Sequence, residues 1–411
     1  MPAGADIIVI GAGIFGLAAA LELKKRGYEV QVLDPGPLPH PLAASTDISK
    51  VVRLDYGADE EYLSLAEEAR HGWLHWNDEF GQDLYHEVGL TMLTRMPMAP
   101  GGFEYESYHR LVQRGYQLQR LDQAEIARRF PIWDSSVYVD GYFNPYGGFS
   151  ESGRVIETLV RLARARDVRI STGSKAARFI EHKGRIAGVL TESGDRFESG
   201  YTLVAAGTWT QTLVPELDPV MHSVGQPVFH LKPAHPGLFS PPRFTVFSAD
   251  VSATGWYGFP LHPTEGIIKI ARHGAGKRLH PESGERLVSR EDAIRLREFL
   301  ATSLPALAGA PVVKTTLCLY SDTLDEHFWI ARHPSRPGLT VAAGGSGHAF
   351  KFAPVLGSIV ADAVEAKPNP ILKKFAWRTL PPDTVGEEAT RYRAAMSPGP
   401  DQPYKESKHE Q

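Results

Sequence analysis

Two kinds of residue in this sequence could do chemistry. Some are glycines spaced to admit a dinucleotide; others are cations, histidines and a thiol in places that packing alone does not favour. Gly11-Ala12-Gly13-Ile14-Phe15-Gly16 follows the apolar run Ile7-Ile8-Val9-Ile10. In such a triplet the first glycine permits a tight turn, the second lets the backbone approach a pyrophosphate, and the third lets a helix pack closely on a strand. The diphosphate would meet free N–H groups at the positive end of that helix. Asp34 closes the next apolar run, where an acid can accept hydrogen bonds from a ribose hydroxyl pair. The triplet does not separate NAD from FAD. Its place ahead of a long chain whose later segments complete the sheet tilts toward FAD.

Lys269 lies in Ile267-Ile268-Lys269-Ile270, and burying an ammonium is costly. Either its head reaches water at a strand edge, or its charge is held in place for electrostatic work at a site. His273, four residues on, would share a strand face with it and reach the substrate pocket. Trp256 and Tyr257 could line that pocket or fill a core. Cys318 is the only cysteine, so no intrachain disulfide can form, and by composition it reads as a small buried hydrophobe.

Further segments carry a likeness. They are Ser49-Lys50-Val51-Val52-Arg53 with Tyr56-Gly57, Ala205-Ala206-Gly207-Thr208-Trp209, Trp256-Tyr257-Gly258-Phe259-Pro260, the run from Cys318 to Phe328, and Gly344-Gly345-Ser346-Gly347-His348-Ala349-Phe350-Lys351-Phe352. With the glycine triplet they resemble the monomeric sarcosine oxidase family and its relatives, the fructosyl-amino-acid oxidases (amadoriases) and pipecolate or saccharopine oxidases, within the D-amino-acid-oxidase-like flavoproteins. The likeness runs from about residue 5 to 366.

The resemblance implies an α/β fold, α+β overall. A Rossmann-like FAD domain, discontinuous in sequence, takes residues 1–85, 150–215 and 316–380. A mainly antiparallel substrate domain takes 86–149 and 216–315. The resemblance also implies a thioether from Cys318 to the flavin 8α-methyl, and a clamp of Arg53 and Lys351 on a substrate carboxylate, a role that suits the arginine fork. It assigns Lys269 to oxygen activation and places Lys50 beside the flavin. Lys50 stands where sarcosine oxidase has arginine; a lysine is expected in the fructosyl-amine branch. Cofactor contacts are implied at Ile14, Phe15, Ser45, Ala176, Gly207, Trp209, Gly345, Gly347, His348 and Lys351.

The expected activity is oxidation of the C–N bond of a secondary-amine amino acid (N-methyl, N-alkyl or cyclic) by hydride transfer to flavin N5. Oxygen is then reduced to hydrogen peroxide. A fructosyl-amino-acid oxidase, a flavin dehydrogenase with another acceptor, and a non-redox binding protein are the alternatives.

These residues need elements to hold them. Residues 6–10, 14–27 and 30–33 read as strand, helix and strand, a unit that demands a parallel sheet. Residues 60–77 and 151–166 carry apolar stripes at helical spacing. The arginines of the second helix read as a solvated face. Residues 168–206 alternate like several strands, 222–320 are strand-rich with a helix near 290–303, and 339–364 return to strand, glycine turn and helix. Residues 381–411 form a polar tail.

The 411 residues suit two domains, and 42% apolar with 22% charged residues is a globular mix. A net charge of −4 argues against nucleic-acid or membrane-surface partners. No metal-ligand spacing appears. A cytoplasmic monomer with a small amine and oxygen as partners is the expectation.

Overall fold

A computed structural model describes residues 4–284 and 286–384. Most of the tail expected over 381–411 lies outside them. Among the described residues the chain builds two large β-sheets and one small one.

The first sheet holds five parallel strands in the order Arg169–Thr172, Val30–Asp34, Ala5–Ile10, Arg196–Val204 and Leu339–Ala343. The strand order therefore reverses between Ala5–Ile10 and Arg196–Val204, and ligands of open α/β sheets bind outside the carboxyl ends of the strands at such a switch. Both middle strands are buried to the last residue at that end, as a two-sided sheet requires. Helix Ile14–Lys25 covers one face with Leu17, Ala19, Ala20 and Leu23 fully buried. It meets helix Ala353–Glu365 closely: a Cβ on Gly357 would stand 2.5 Å from the Ala18 carbonyl oxygen.

Helix Glu60–Phe80 starts at Asp59, whose side chain accepts the Tyr62 N–H, and stops at left-handed Gly81. Its fully buried Trp73 donates its indole N–H to the Lys351 carbonyl at 2.6 Å, tying the helix to the turn that carries a predicted clamp residue. Helix Ser152–Ala165 buries Val155, Ile156 and Leu159, and Arg154, Arg161, Arg164 and Arg166 lie exposed, so the solvated-face reading of its arginines is right.

The second sheet is mainly antiparallel. Its strands run Lys277–Arg278, Met221–Leu231, Ile268–Arg272, Trp256–Gly258, Val246–Ala249, Leu90–Thr94, Asp140–Asn144 and Gln119–Asp122. Only the pairing of Val246–Ala249 with Leu90–Thr94 is parallel among these. Strand Val312–Thr323 pairs with Met221–Leu231 along its length, so a domain division at 316 falls inside a strand of this sheet. The small sheet pairs Lys50–Val52 with Gly148–Ser150, and Gly148–Ser150 with Tyr85–His86; it carries Lys50 into the space between the large sheets. No helix among the described residues is long and apolar enough to cross a membrane.

Candidate active site

A groove opens at the strand-order switch. Gly11 leaves its strand at φ 103°, and a Cβ there would stand 2.5 Å from the Ala205 carbonyl oxygen. Only glycine fits both the left-handed backbone and the contact between the two strand ends. A Cβ on Gly16 would stand 1.9 Å from the Gly11 carbonyl oxygen, so the third glycine is a packing residue behind the groove.

Gly13 differs: it caps the helix at φ −80° without a side-chain cap, and a Cβ there would meet only Ser45 Oγ, at 3.4 Å. The helix opening therefore faces the groove bare. The Ala12 N–H donates to Asp34 at 2.8 Å and the Ile14 N–H to Ser45 at 3.1 Å, which fixes the turn. Ile14, Phe15, Ala176, Gly207, Trp209, Gly345 and Gly347 also line this cavity of about 450 Å³. At its rim Arg286 covers the face of Trp209, 5.0 Å from the ring centre, and His40 packs against it edge-on. The positive end of the helix and glycines that admit a close backbone approach suit the diphosphate of FAD, and an accepting carboxylate at the strand end suits its ribose hydroxyls.

A second cavity of about 90 Å³ adjoins the groove. Lys50, Tyr320, Gly347 and Phe350 line both, forming a shared wall. Arg53, Tyr257, His273, His348 and Lys351 line the smaller one, with Leu90, Met92, Phe247 and Val251 opposite. Among the described residues lining it, none is acidic.

The Arg53 guanidinium lies over Tyr56 (4.8 Å) and Phe103 (5.4 Å). Behind it sits fully buried Asp55, which accepts hydrogen bonds from Tyr142 (2.6 Å) and Asn144 (3.3 Å). Burial pushes the Asp55 carboxyl above its usual range despite those bonds and the charge of Arg53. Lys351 Nζ donates to the His348 carbonyl at 2.9 Å. The His348 ring must donate from Nε2 to the Glu326 carbonyl at 3.0 Å, so its Nδ1 accepts from Tyr56 Oη at 3.0 Å. His348 and Lys351 face the smaller cavity rather than the groove. Tyr257 and Tyr320 meet hydroxyl to hydroxyl at 3.3 Å, and burial raises both phenols.

Lys269 and Cys318 lie one layer behind these walls. Cys318 packs with Tyr320, Val228 and Ala271. Burial opposes the charge on Lys50, yet Cys318, Asp47 and Tyr257 outweigh it and raise the lysine.

Lys269 is 2% exposed, with its ammonium 4.9 Å from the Phe259 ring centre. It forms an ion pair with Asp47, donates to the Ser49 carbonyl at 2.6 Å, and is pulled down to about 8 by burial, against Asp47 and with the help of Lys50. Asp47 also accepts from His230 at 3.2 Å. Sequence reasoning missed Asp47 and His230. The one signal available was an acid three residues before a lysine already singled out.

Fold and groove define a dinucleotide-dependent oxidoreductase of the doubly wound α/β type. The chain belongs to the DAO family of FAD dependent oxidoreductases, whose model matches residues 6–363, and its cofactor is FAD. It is 30% identical over 376 residues to N-methyl-L-tryptophan oxidase of Salmonella arizonae, covering 90% of this chain and 97% of that one. To monomeric sarcosine oxidase of a Bacillus species it is 27% identical over 359 residues, 86% of this chain and 90% of the relative. Among solved structures it resembles the deglycating fructosamine oxidase Amadoriase II of Aspergillus fumigatus, at 25% identity and a TM-score of 0.78 over 94% of both chains. Fructosyl peptide oxidase from E. terrenum shares the fold at a TM-score of 0.80, with 23% identity over 97% of this chain and 96% of the other.

Proposed function

We propose that the protein oxidises the C–N bond of a secondary-amine amino acid, using FAD in the large groove, and returns the electrons to oxygen as hydrogen peroxide. The observation that carries this is the smaller cavity. It shares a wall with the cofactor groove and presents Lys50, Arg53 and Lys351 with no acid among its described lining.

Such a field selects an anion, and a carboxylate suits the arginine fork. The same cations also disfavour an ammonium nearby, so they hold the substrate amine in the uncharged form whose lone pair assists oxidation. Arg53 and Lys351 grip the carboxylate and fix the α-carbon toward the shared wall, which is catalysis by orientation. The apolar side formed by Leu90, Met92, Phe247 and Val251 takes the remainder of the substrate and keeps water out. Bound FAD supplies the acceptor for the hydride that leaves the carbon; the substrate becomes an iminium ion, which loses a proton or hydrolyses. Lys269 supplies positive charge for the oxygen step.

The decisive experiment is anaerobic mixing with N-methyl, cyclic and fructosylated amino acids while the flavin absorbance is followed. Bleaching by the N-methyl or cyclic members, followed by stoichiometric peroxide on admitting air, is expected. Bleaching by the fructosylated members alone would move the enzyme to the sugar-amine oxidases. Bleaching without recovery in air would make it a dehydrogenase, and no bleaching at all would leave a binding protein.

The same reading includes a thioether between Cys318 and the flavin. Support comes from the lone thiol's place beside Tyr320 of the shared wall. The acid-precipitated wild-type protein is expected to stay yellow and that of Cys318→Ala to turn white. A yellow Cys318→Ala pellet would remove Cys318 as the attachment point.

A further inference from the structure

The acid that pairs with Lys269 takes part in none of the proposed steps. Asp47 sits at the end of the polar loop before strand Lys50–Val52, and its backbone is pinned. Its carbonyl accepts the Gly153 N–H and the Ser152 hydroxyl, each at 2.8 Å. Its carboxylate meets two side chains that come from different strands. His230 and Lys269 are cross-strand partners in the antiparallel pairing of Met221–Leu231 with Ile268–Arg272. They are 1% and 2% exposed, and both reach Asp47, His230 on one carboxylate oxygen and Lys269 on the other. A buried ion pair of this kind loses stability when one partner is removed, because the other charge is left without compensation.

We propose that Asp47 is a positioning residue for the oxygen half of the reaction: held by His230 and the loop backbone, it fixes the Lys269 ammonium and keeps it charged at the working pH, touching neither substrate nor cofactor itself. This rests on the reading that Lys269 serves the oxygen step. In that step the electron pair and proton of the transferred hydride, with one proton from solvent, convert oxygen to hydrogen peroxide. Lys269 contributes charge and no net proton.

The groups that bear on the Lys269 ammonium come from each neighbouring strand. Lys50, on the short strand that follows the Asp47 loop, opposes its charge. Cys318 on Val312–Thr323 and Asp47 favour it. Tyr257 on Trp256–Gly258 and His230 lie within the field of Asp47. Burial would raise the Asp47 carboxyl, but Lys269, the His230 hydrogen bond and Lys50 together hold it well below the carboxylate range. Asp47 is thus the nearest carboxylate holding a lysine that burial already draws down to about 8. Without it the ammonium should give up its proton rather than remain buried and unpaired.

The test compares the wild-type holoenzyme with Asp47→Asn, Asp47→Glu and Lys269→Gln. Two quantities are read across pH: the rate at which substrate-reduced flavin is reoxidised by oxygen, and the absorption spectrum of the resting oxidised flavin. Wild-type reoxidation is expected to slow as pH rises through about 8. In Asp47→Asn the same fall, and the accompanying spectral shift, should move down by about one pH unit or more. The rate at pH 8 should then be about fivefold lower or more, while anaerobic flavin reduction by substrate is unchanged. Asp47→Glu keeps the charge and should keep the wild-type midpoint.

An Asp47→Asn enzyme with the wild-type midpoint, beside a slow Lys269→Gln, overturns the role of Asp47 alone. A Lys269→Gln enzyme that reoxidises at the wild-type rate overturns the assignment of Lys269 and this proposal with it. Should Asp47→Asn fail to fold, Asp47→Ser, which leaves room for water beside the lysine, is read in the same way.

Discussion

A chain carrying valine at position 13 should fold and unfold like the wild type and yet purify without its yellow colour. Gly13 has a backbone that any residue can adopt, and inside the protein an added Cβ would touch only Ser45 Oγ at ordinary distance. The new side chain would instead stand at the uncapped helix opening, where a diphosphate has to come within hydrogen-bond reach of the backbone. Losing that approach forfeits several charge-assisted hydrogen bonds, each about 1.5–3 kcal/mol. At about 1.4 kcal/mol per tenfold, the affinity that must capture FAD before any thioether forms falls by about a hundredfold or more.

Gly11→Ala is the contrasting variant. Its Cβ would stand 2.5 Å from the Ala205 carbonyl oxygen at a left-handed φ, so it should lower the melting temperature as well as the flavin content. Flavin content is read from absorbance and folding from circular dichroism. A Gly13→Val protein that purifies flavin-replete would remove the diphosphate from this turn.

Replacing Arg53 by methionine should cost about 10²–10³ in kcat/KM toward carboxylated amines and almost nothing toward an amine without a carboxylate. Methionine retains contact with Tyr56 and Phe103, the rings the guanidinium covers, so packing is largely kept. What disappears is the partner of a desolvated carboxylate, a loss of about 3–5 kcal/mol. Asp55 softens the structural cost: its carboxyl is already pushed upward by burial, so it can take up a proton once Arg53 is gone. Lys351→Met should show the same dependence on the carboxylate. Since both cations would grip one group, the double variant should lose less than the sum of the single losses. Equal losses for substrates with and without a carboxylate would mean that Arg53 maintains the pocket rather than binding the acid.

Much of this molecule could be read from residue order because its first sheet is assembled from locally encoded pieces. The run Ile7–Ile10, the glycine turn and Asp34 all lie within one strand–helix–strand unit, and each reports its own conformation. The helices over Glu60–Phe80 and Ser152–Ala165 announced themselves through apolar spacing, and Arg290–Ser303 lies where the sequence placed a helix. The meeting of Lys50, Arg53, Tyr257, His273 and Lys351 around one cavity is non-local, and only the family resemblance made it foreseeable.

Asp47 escaped because its meaning depends on register. It sits in a polar stretch without periodicity, and its partners are paired across two strands that the sequence separates by a long excursion. The direction of Lys269 escaped for the same reason. An apolar strand shows that a lysine is buried, not that an acid from a distant loop awaits it. The division at 316 came with the resemblance, and strand pairing, which runs unbroken through Val312–Thr323, is not visible in residue order.

The last parallel strand of the first sheet, Leu339–Ala343, has a consequence for biosynthesis. The flavin groove opens between the ends of Ala5–Ile10 and Arg196–Val204, but its lining is completed by Gly345 and Gly347, which emerge only after Leu339–Ala343. At about 5–20 residues per second, the nascent glycine turn waits tens of seconds on the ribosome before its site exists. Cofactor capture must therefore wait for that strand, and a chain cut short before Leu339 should be unable to retain flavin, however well its opening strands have formed.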